Sequence, residues 1–308
     1  MLLIPSARGT HVHKLVLGLM SGLGRVRTAR GISMRGSGMT RGFALTAAVF
    51  ACLMMAVPAM AYTPYAPVAN PDGALPTQVA RVLAADNAAG DEFGVSVSVD
   101  GDTMVVGAYK DDIGGDVDRG SAYVFTRSGA SWIQQATLKA SDGVADDRFG
   151  RSVAISGDTI VVGCERDNVG AHLDQGSVYV FTRTGTEWTQ QQRLIDADGE
   201  AGAALGVSVD ILGDTLIAGA PGANVGGSVN RGAAYVFTRS GTIWTLQQEL
   251  DASDGGANDN AGVSVAVYGD YAAVGAPSAN VGGSADQGAA YVFARTGTAW
   301  TQQSKLLD

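Results

Sequence analysis

The side chains of this chain that could do chemistry are carboxylates, and they gather in short stretches. Asp111, Asp112, Asp116 and Asp118 share one; Asp142, Asp146 and Asp147 share the next. Asp196, Asp198 and Glu200 follow, then Asp254 and Asp259. Grouped carboxylates can hold a divalent cation, which takes about six to eight oxygens. They can draw in a ligand of opposite charge, or work in pairs on a glycosidic bond. Asp196-Ala197-Asp198-Gly199-Glu200 comes nearest to ligand spacing, so Asp196, Asp198 and Glu200 are the metal candidates, although the full D-x-D-x-D-G order is missing. Each Asp also has an ordinary use: Asp, Asn, Gly and Ser form turns and keep exposed loops hydrated. For any single one of these residues that use has the stronger claim.

Other catalytic devices are missing from the sequence. After residue 61 there is one histidine, His172, and one cysteine, Cys164, too few for a zinc cluster. No G-x-S-x-G places a serine on a strained elbow, and no glycine-rich phosphate loop joins a strand to a helix. No catalytic residue is assigned, and the expected class is a binding or structural module. Cys164 takes the place of Ala108, Ala220 and Ala276, which reads as a small buried side chain.

What positions the carboxylates is a repeat with a step of 56 residues. Gly94, Gly150, Gly206 and Gly262 keep it, as do Gly107, Gly163, Gly219 and Gly275. So do Tyr123, Tyr179, Tyr235 and Tyr291, and the four tryptophans Trp132, Trp188, Trp244 and Trp300. Identical phase makes these aromatics structural first, packing between neighbouring units, rather than a sugar-stacking set. A fixed period of this length, rich in glycine and short apolar runs, signals a radial or stacked repeat.

Each unit carries four strand signals. GVSVSVD alternates strictly, with Val on one face and Ser on the other. A Gly-Asp pair forces a tight antiparallel hairpin into TMVVGA, an apolar run suited to burial on both faces. A loop of about a dozen residues leads to SAYVFTR, and a glycine turn leads to the Trp strand, whose glutamines mark an outer edge. No segment has helical spacing, so the chain is all-β. Four-stranded antiparallel units repeated radially make a β-propeller. A β-solenoid is disfavoured because its coils are shorter and lack tight hairpins. In a meander, the loops between strands two and three share a face with those joining consecutive blades. The carboxylates above should therefore line one side of the disc.

These units resemble FG-GAP repeats, the blades of the integrin α-chain propeller and of many exported bacterial proteins. Phe93-Gly94 and Phe149-Gly150 give the FG, with Leu205-Gly206 and Ala261-Gly262 as weaker forms. Gly219-Ala220-Pro221 and Gly275-Ala276-Pro277 give the GAP, with Gly107-Ala108-Tyr109 and Gly163-Cys164-Glu165 as variants. The resemblance covers residues 78–307 and implies a propeller, usually of seven blades, used for adhesion or ligand recognition. Calcium-binding relatives carry an Asp/Asn-rich loop between strands one and two. Here that loop is the Gly-Asp turn alone, so no cofactor is expected, and Ca2+ is left open only elsewhere. The family also lends its N-terminal strand to the last blade. Residues 78–84 look like that strand, yet the fourth repeat has its own from Trp300 to Leu306. The expected architecture is therefore four blades, about 93–140, 149–196, 205–252 and 261–308, plus one extra N-terminal strand. An incomplete ring lacking further blades is favoured over a closed four-bladed ring or an arc completed by another chain.

The first 61 residues differ from the rest. They hold seven of the 21 basic residues and no Asp or Glu, and they end in an apolar run closed by Ala59-Met60-Ala61. This reads as a basic leader and signal peptide cleaved before Tyr62, with a proline-rich linker over 62–77. The apolar run from Phe43 to Val57 is short for a membrane span, so none is expected after cleavage. The remainder has 14 basic and 30 acidic residues, a net charge of −16. Such a surface repels nucleic acid and anionic lipid. The expected setting is secreted or cell-surface, with the periplasm as alternative, and the expected partner is a protein or glycan bound at the acidic face. The weighed alternatives are a structural domain of a larger surface protein and a carboxylate-based hydrolase.

Overall fold

The computed structural model describes residues 80–307. The leader, its cleavage point and the linker 62–77 lie outside the described residues. The strands fall where the sequence pattern places them. The first blade is β1 (Val97–Asp100), β2 (Thr103–Ala108), β3 (Ser121–Ser128) and β4 (Ser131–Leu138). The second is β5 (Phe149–Ser156), β6 (Thr159–Cys164), β7 (Ser177–Thr184) and β8 (Glu187–Leu194). The third is β9 (Ser208–Leu212), β10 (Thr215–Ala220), β11 (Ala233–Ser240) and β12 (Ile243–Leu250). The fourth is β13 (Ser264–Tyr268), β14 (Tyr271–Ala276), β15 (Ala289–Thr296) and β16 (Ala299–Leu306). Each blade is one antiparallel sheet in chain order, with no helix among the described residues.

Two local devices recur. In the first hairpin Asp100 pairs with Thr103, and Gly101 between them has φ 56°, a left-handed value that glycine adopts freely. In the outer hairpin the register slips by one residue at Val124/Phe125, Val180/Phe181, Val236/Phe237 and Val292/Phe293. The residue left unpaired is a glutamine each time (Gln135, Gln191, Gln247, Gln303), and the bulge re-aims its side chain. Gln135 Oε1 accepts from Trp188 Nε1 of the next blade at 2.9 Å, and the same bond joins Gln191 to Trp244 and Gln247 to Trp300.

The core lies between blades rather than within them. The side of each blade that faces the following one is its trailing face; the opposite side is its leading face. One apolar cluster joins the trailing face of blade 1 (Val105, Val124, Leu138) to the leading face of blade 2 (Phe149, Ile155, Phe181). Equivalent clusters join blades 2 and 3, and blades 3 and 4. Among the described residues none joins blade 4 to blade 1, so these four blades form an open arc. The inner strands pack in series, β1 on β5, β5 on β9 and β9 on β13. Their small side chains bridge blades: Ser96 Oγ accepts from Val153 N at 2.9 Å, and Ser98 Oγ from Ile155 N at 3.3 Å.

The extra N-terminal strand is realised only as a packing segment. Val82 and Ala84 join the apolar cluster on the leading face of blade 1, where Leu138 and Ala140 sit in the next interface. Residues 80–84 nevertheless form no ladder, because no neighbouring third strand stands beside them to pair with.

Candidate functional site

The loops expected to share a face do so, and main-chain bonds lace them together. Asp146 N donates to Val117 O, Gly202 N to Leu173 O, and Asn258 N to Val229 O, each at 2.8 Å. In each case a β2–β3-type loop is tied to the junction leading into the next blade. Each such loop is closed from within by an Asp or Asn side chain. Asp112 Oδ1 accepts from Asp118 N at 3.0 Å, and Asn168, Asn224 and Asn280 repeat the bond with Asp174, Asn230 and Asp286. The closing residues are left-handed, with φ of 51° at Asp118 and 52° at Asp174, a conformation Asp and Asn tolerate better than most.

This architecture uses up most of the candidate carboxylates. Asp111 is buried and accepts from Ser121 Oγ at 2.5 Å and from Tyr123 OH at 2.8 Å. Asp116 pairs with Arg119 at 3.3 Å. Asp142 takes Tyr179 OH at 2.9 Å and Arg193 Nη1 at 3.1 Å. Asp147 and Asp259 are buried, and each caps its own turn through Val144 N at 2.6 Å or Gly256 N at 2.8 Å. Asp196 accepts from Asp198 N at 3.3 Å, Glu200 from Asn224 N at 2.8 Å, and Asp254 from Lys305 Nζ at 2.8 Å. Asp118, Asp146 and Asp198 keep carboxylates with no side-chain partner among the described residues. Asp196, Asp198 and Glu200 do not converge, and among the described residues no three His, Cys, Asp or Glu side chains are close enough to hold a metal ion.

One position sets the charge of each junction. In blade 2 it is Arg193, which pairs with Asp167 and Asp142. In blade 4 it is Lys305, held by Asp254, which lowers the acid's pKa and raises the amine's. Blade 1 has Thr137 there, and blade 3 has Glu249, whose pKa is raised by burial and then by Asp196 and Asp251. Asp147 is a buried acid with incomplete compensation: burial lifts its pKa to about 6, and its Oδ1 has no hydrogen-bond partner. Cys164 lies in the same pocket, its thiol donating to Asp147 O at 3.2 Å and its pKa pushed up by burial.

The two glycine motifs meet at the joint between blades. A Cβ on Gly107, Gly163 or Gly219 would collide with the carbonyl oxygen of Gly150, Gly206 or Gly262 in the following blade. Those three glycines in turn have φ of 92–95° and lie against Ser121, Ser177 and Ala233 carbonyls. The G of one motif is therefore packed main chain to main chain on the G of the other. The FG-GAP repeat profile matches residues 76–125, 132–181, 188–237 and 244–293. This chain belongs to the FG-GAP repeat family. No curated protein matches it. The last three matched FG-GAP units each run from one blade's outer strand into the third strand of the next, out of phase with the blades themselves, and the first ends within β3.

Two features of these FG-GAP blades escape a reading built on carboxylates. The first is a row of exposed aliphatic tips in register, Val117 (57 % exposed), Leu173 (65 %) and Val229 (56 %). Their 56-residue spacing was the available signal. The second lies at the opposite end of the blades. There Arg183 pairs with Asp158, stacks on Trp188 at 5.1 Å and donates to Thr103 of the preceding blade at 3.0 Å. Arg239 and Arg295 repeat all three contacts, with Thr159 and Thr215 as the acceptors. His172 lies exposed on the loop face with no catalytic neighbour described beside it.

Proposed function

We propose that this FG-GAP propeller is an exported, non-enzymatic recognition module that binds a protein or glycan at its acidic loop face. The observation that carries the reading is the row Val117, Leu173 and Val229. These aliphatic side chains are exposed at the same place in three blades, and the loops of the same face carry the partner-free carboxylates of Asp118, Asp146 and Asp198. Exposed apolar groups ringed by polar ones mark interaction surfaces, and the loops that hold them are fixed by main-chain bonds rather than free to collapse. Export rests on the basic leader and the Ala59-Met60-Ala61 site. A non-enzymatic role is supported by the structural engagement of Asp111, Asp142, Asp147 and Asp259, each of which is held in a hydrogen bond of the fold. The proposal includes no cofactor, no nucleic-acid partner and no membrane span after cleavage.

The test is a binding screen of the full chain against a glycan array and a library of basic peptides. The expected result is a salt-sensitive ligand lost on combined reversal of Asp118, Asp146 and Asp198 to Lys. A ligand bound with unchanged affinity by that variant overturns the assignment of the face. Turnover of any polysaccharide in the screen overturns the non-enzymatic reading.

A further inference from the structure

We infer that the joint between blades 1 and 2 carries, on the loop face, a site for a compact doubly charged oxyanion, a sulfate or phosphate group, built from Arg148, Arg151 and Arg166 beside Tyr109. Every blade repeats one pair of positions, the residue two before the FG glycine and the residue three after the GAP glycine. The main chain that holds the second is the same throughout. Lys110 N donates to Asp91 O at 3.3 Å, Arg166 N to Asp147 O at 3.2 Å, Gly222 N to Ala203 O at 3.1 Å and Ser278 N to Asp259 O at 3.3 Å. The two places therefore adjoin in each blade. In blade 1 Lys110 pairs with Glu92, in blade 4 Asn260 Nδ2 donates to Ser278 Oγ at 3.4 Å, and in blade 3 the pair is Ala204 and Gly222. Of these four blades, blade 2 alone sets a cation against a cation, Arg148 against Arg166. Like charges repel, so the fold gains nothing from this pair.

The surroundings leave the charge unbalanced. One carboxylate, Glu165, serves both Arg151 Nε at 3.1 Å and Arg148 Nη1 at 3.5 Å. Arg148 Nε has no hydrogen-bond partner, and Arg166 is exposed with no side-chain partner among the described residues. Three guanidiniums answer to one carboxylate, which leaves two positive charges over within the cluster. The same places in blade 3 (Ala204, Val207, Gly222) and blade 4 (Asn260, Val263, Ser278) are uncharged. Tyr109 of blade 1 organises the group. It stands where Pro221 and Pro277 complete the GAP motif, and its ring centre lies 5.6 Å from the Arg148 guanidinium and 5.5 Å from that of Arg151. The attraction of cation to ring holds both guanidiniums at the joint rather than splayed into solvent.

The surplus charge and the donors select the ligand. Guanidinium forks present paired N–H groups that match the oxygens of sulfate and phosphate, and either ion brings the two negative charges that the cluster lacks. Carboxylates crowd the other loops of this face, among them Asp118, Asp146 and Asp198. An extended polyanion meets these and is repelled, whereas a single small group needs only the guanidiniums. The site is opposite in sign to those carboxylates and does not rest on their binding a ligand.

The test is titration of the full chain with sodium sulfate, sodium phosphate and sodium acetate, each to about 10 mM at constant ionic strength, followed by the amide shifts of residues 148–166 in nitrogen-edited NMR. Sulfate or phosphate is expected to shift these amides along a saturating single-site curve, and the tighter of the two names the group. Acetate, with one charge, is expected to bind at least tenfold more weakly. Arg148→Asn combined with Arg166→Ser installs the pair that blade 4 already builds. That variant is expected to melt no lower than the native chain and to bind at least tenfold more weakly. Arg148→Glu, which restores the ion pair of blade 1, is expected to abolish binding without lowering the melting temperature. A native chain whose amides do not move with sulfate or phosphate, acetate bound as tightly as either, or a folded double variant with native affinity each overturns the site.

Discussion

Replacing Asp147 by Asn should stabilise the joint between blades 1 and 2, with a gain that grows from about pH 4 and is complete above about pH 6. The carboxyl is buried, one oxygen accepts from Val144 N at 2.6 Å, and the other has no partner. Burial is the main reason its pKa rises from 3.8 to about 6, with Asp167 and Asp142 adding repulsion and Arg193 offsetting part of it. An acid whose pKa is higher folded than unfolded favours the fold while protonated. That contribution is complete below the unfolded value near 3.8 and is lost as the pH climbs through about 6. The full difference corresponds to about 3 kcal/mol. Water entry and adjustment of Arg193 reduce the usable part to about 1–2 kcal/mol. Asn keeps the acceptor for Val144 N and removes the ionisation, and the third blade already lives with Ala203 at this place. Urea unfolding followed by fluorescence, with Trp188 in the affected cluster as reporter, should show the variant more stable than the native chain at pH 8, with the gap narrowing steadily towards about pH 4. A gap that is constant across that range, or one that widens in acid, refutes the reasoning.

Gly163→Ala should cost about 2–4 kcal/mol, because its Cβ meets the Gly206 carbonyl and the Ser152 hydroxyl with no room to move. Amide exchange in β9 should accelerate at least tenfold, and unchanged protection there would show that the joint can open to admit a methyl. Gln192→Ala removes a two-way clamp on Trp244, whose N donates at 2.9 Å and whose O accepts at 2.8 Å. A loss of about 1–2 kcal/mol is expected from melting curves. Arg239→Lys should lose about 1 kcal/mol, since an ammonium cannot serve Asp214, Thr159 and the Trp244 ring together; a neutral result would mean that charge alone suffices. Adding millimolar calcium should leave the melting temperature unchanged within about 1 °C, as expected of a site with no affinity at that concentration, and a clear rise would reveal a calcium site.

The fold was legible because it is written in phase. Residues such as Gly107 and Trp188 recur at one step, and each makes a contact with the neighbouring blade that recurs with it. The site was less so. Asp111 and Asp118 look alike in a string of letters, yet one lies against Ser121 and Tyr123 in the core and the other stands at a loop tip. What separates them is the direction in which a turn points a side chain, and that depends on bonds such as Asp146 N to Val117 O, between residues far apart in the chain. The missing ladder of residues 80–84 had no sequence signature either. Those residues have the letters of an outer strand and lack only the strand beside them.

The meeting of Gly163 with Gly206 has an architectural consequence. A seam made of peptide groups does not depend on which side chains stand on either bank, so it accepts one blade as readily as another. Cys164 or Ala220, Phe149 or Leu205 can sit beside it without shifting the spacing. A scaffold hinged in this way can change the loops at its rim while its geometry stays put.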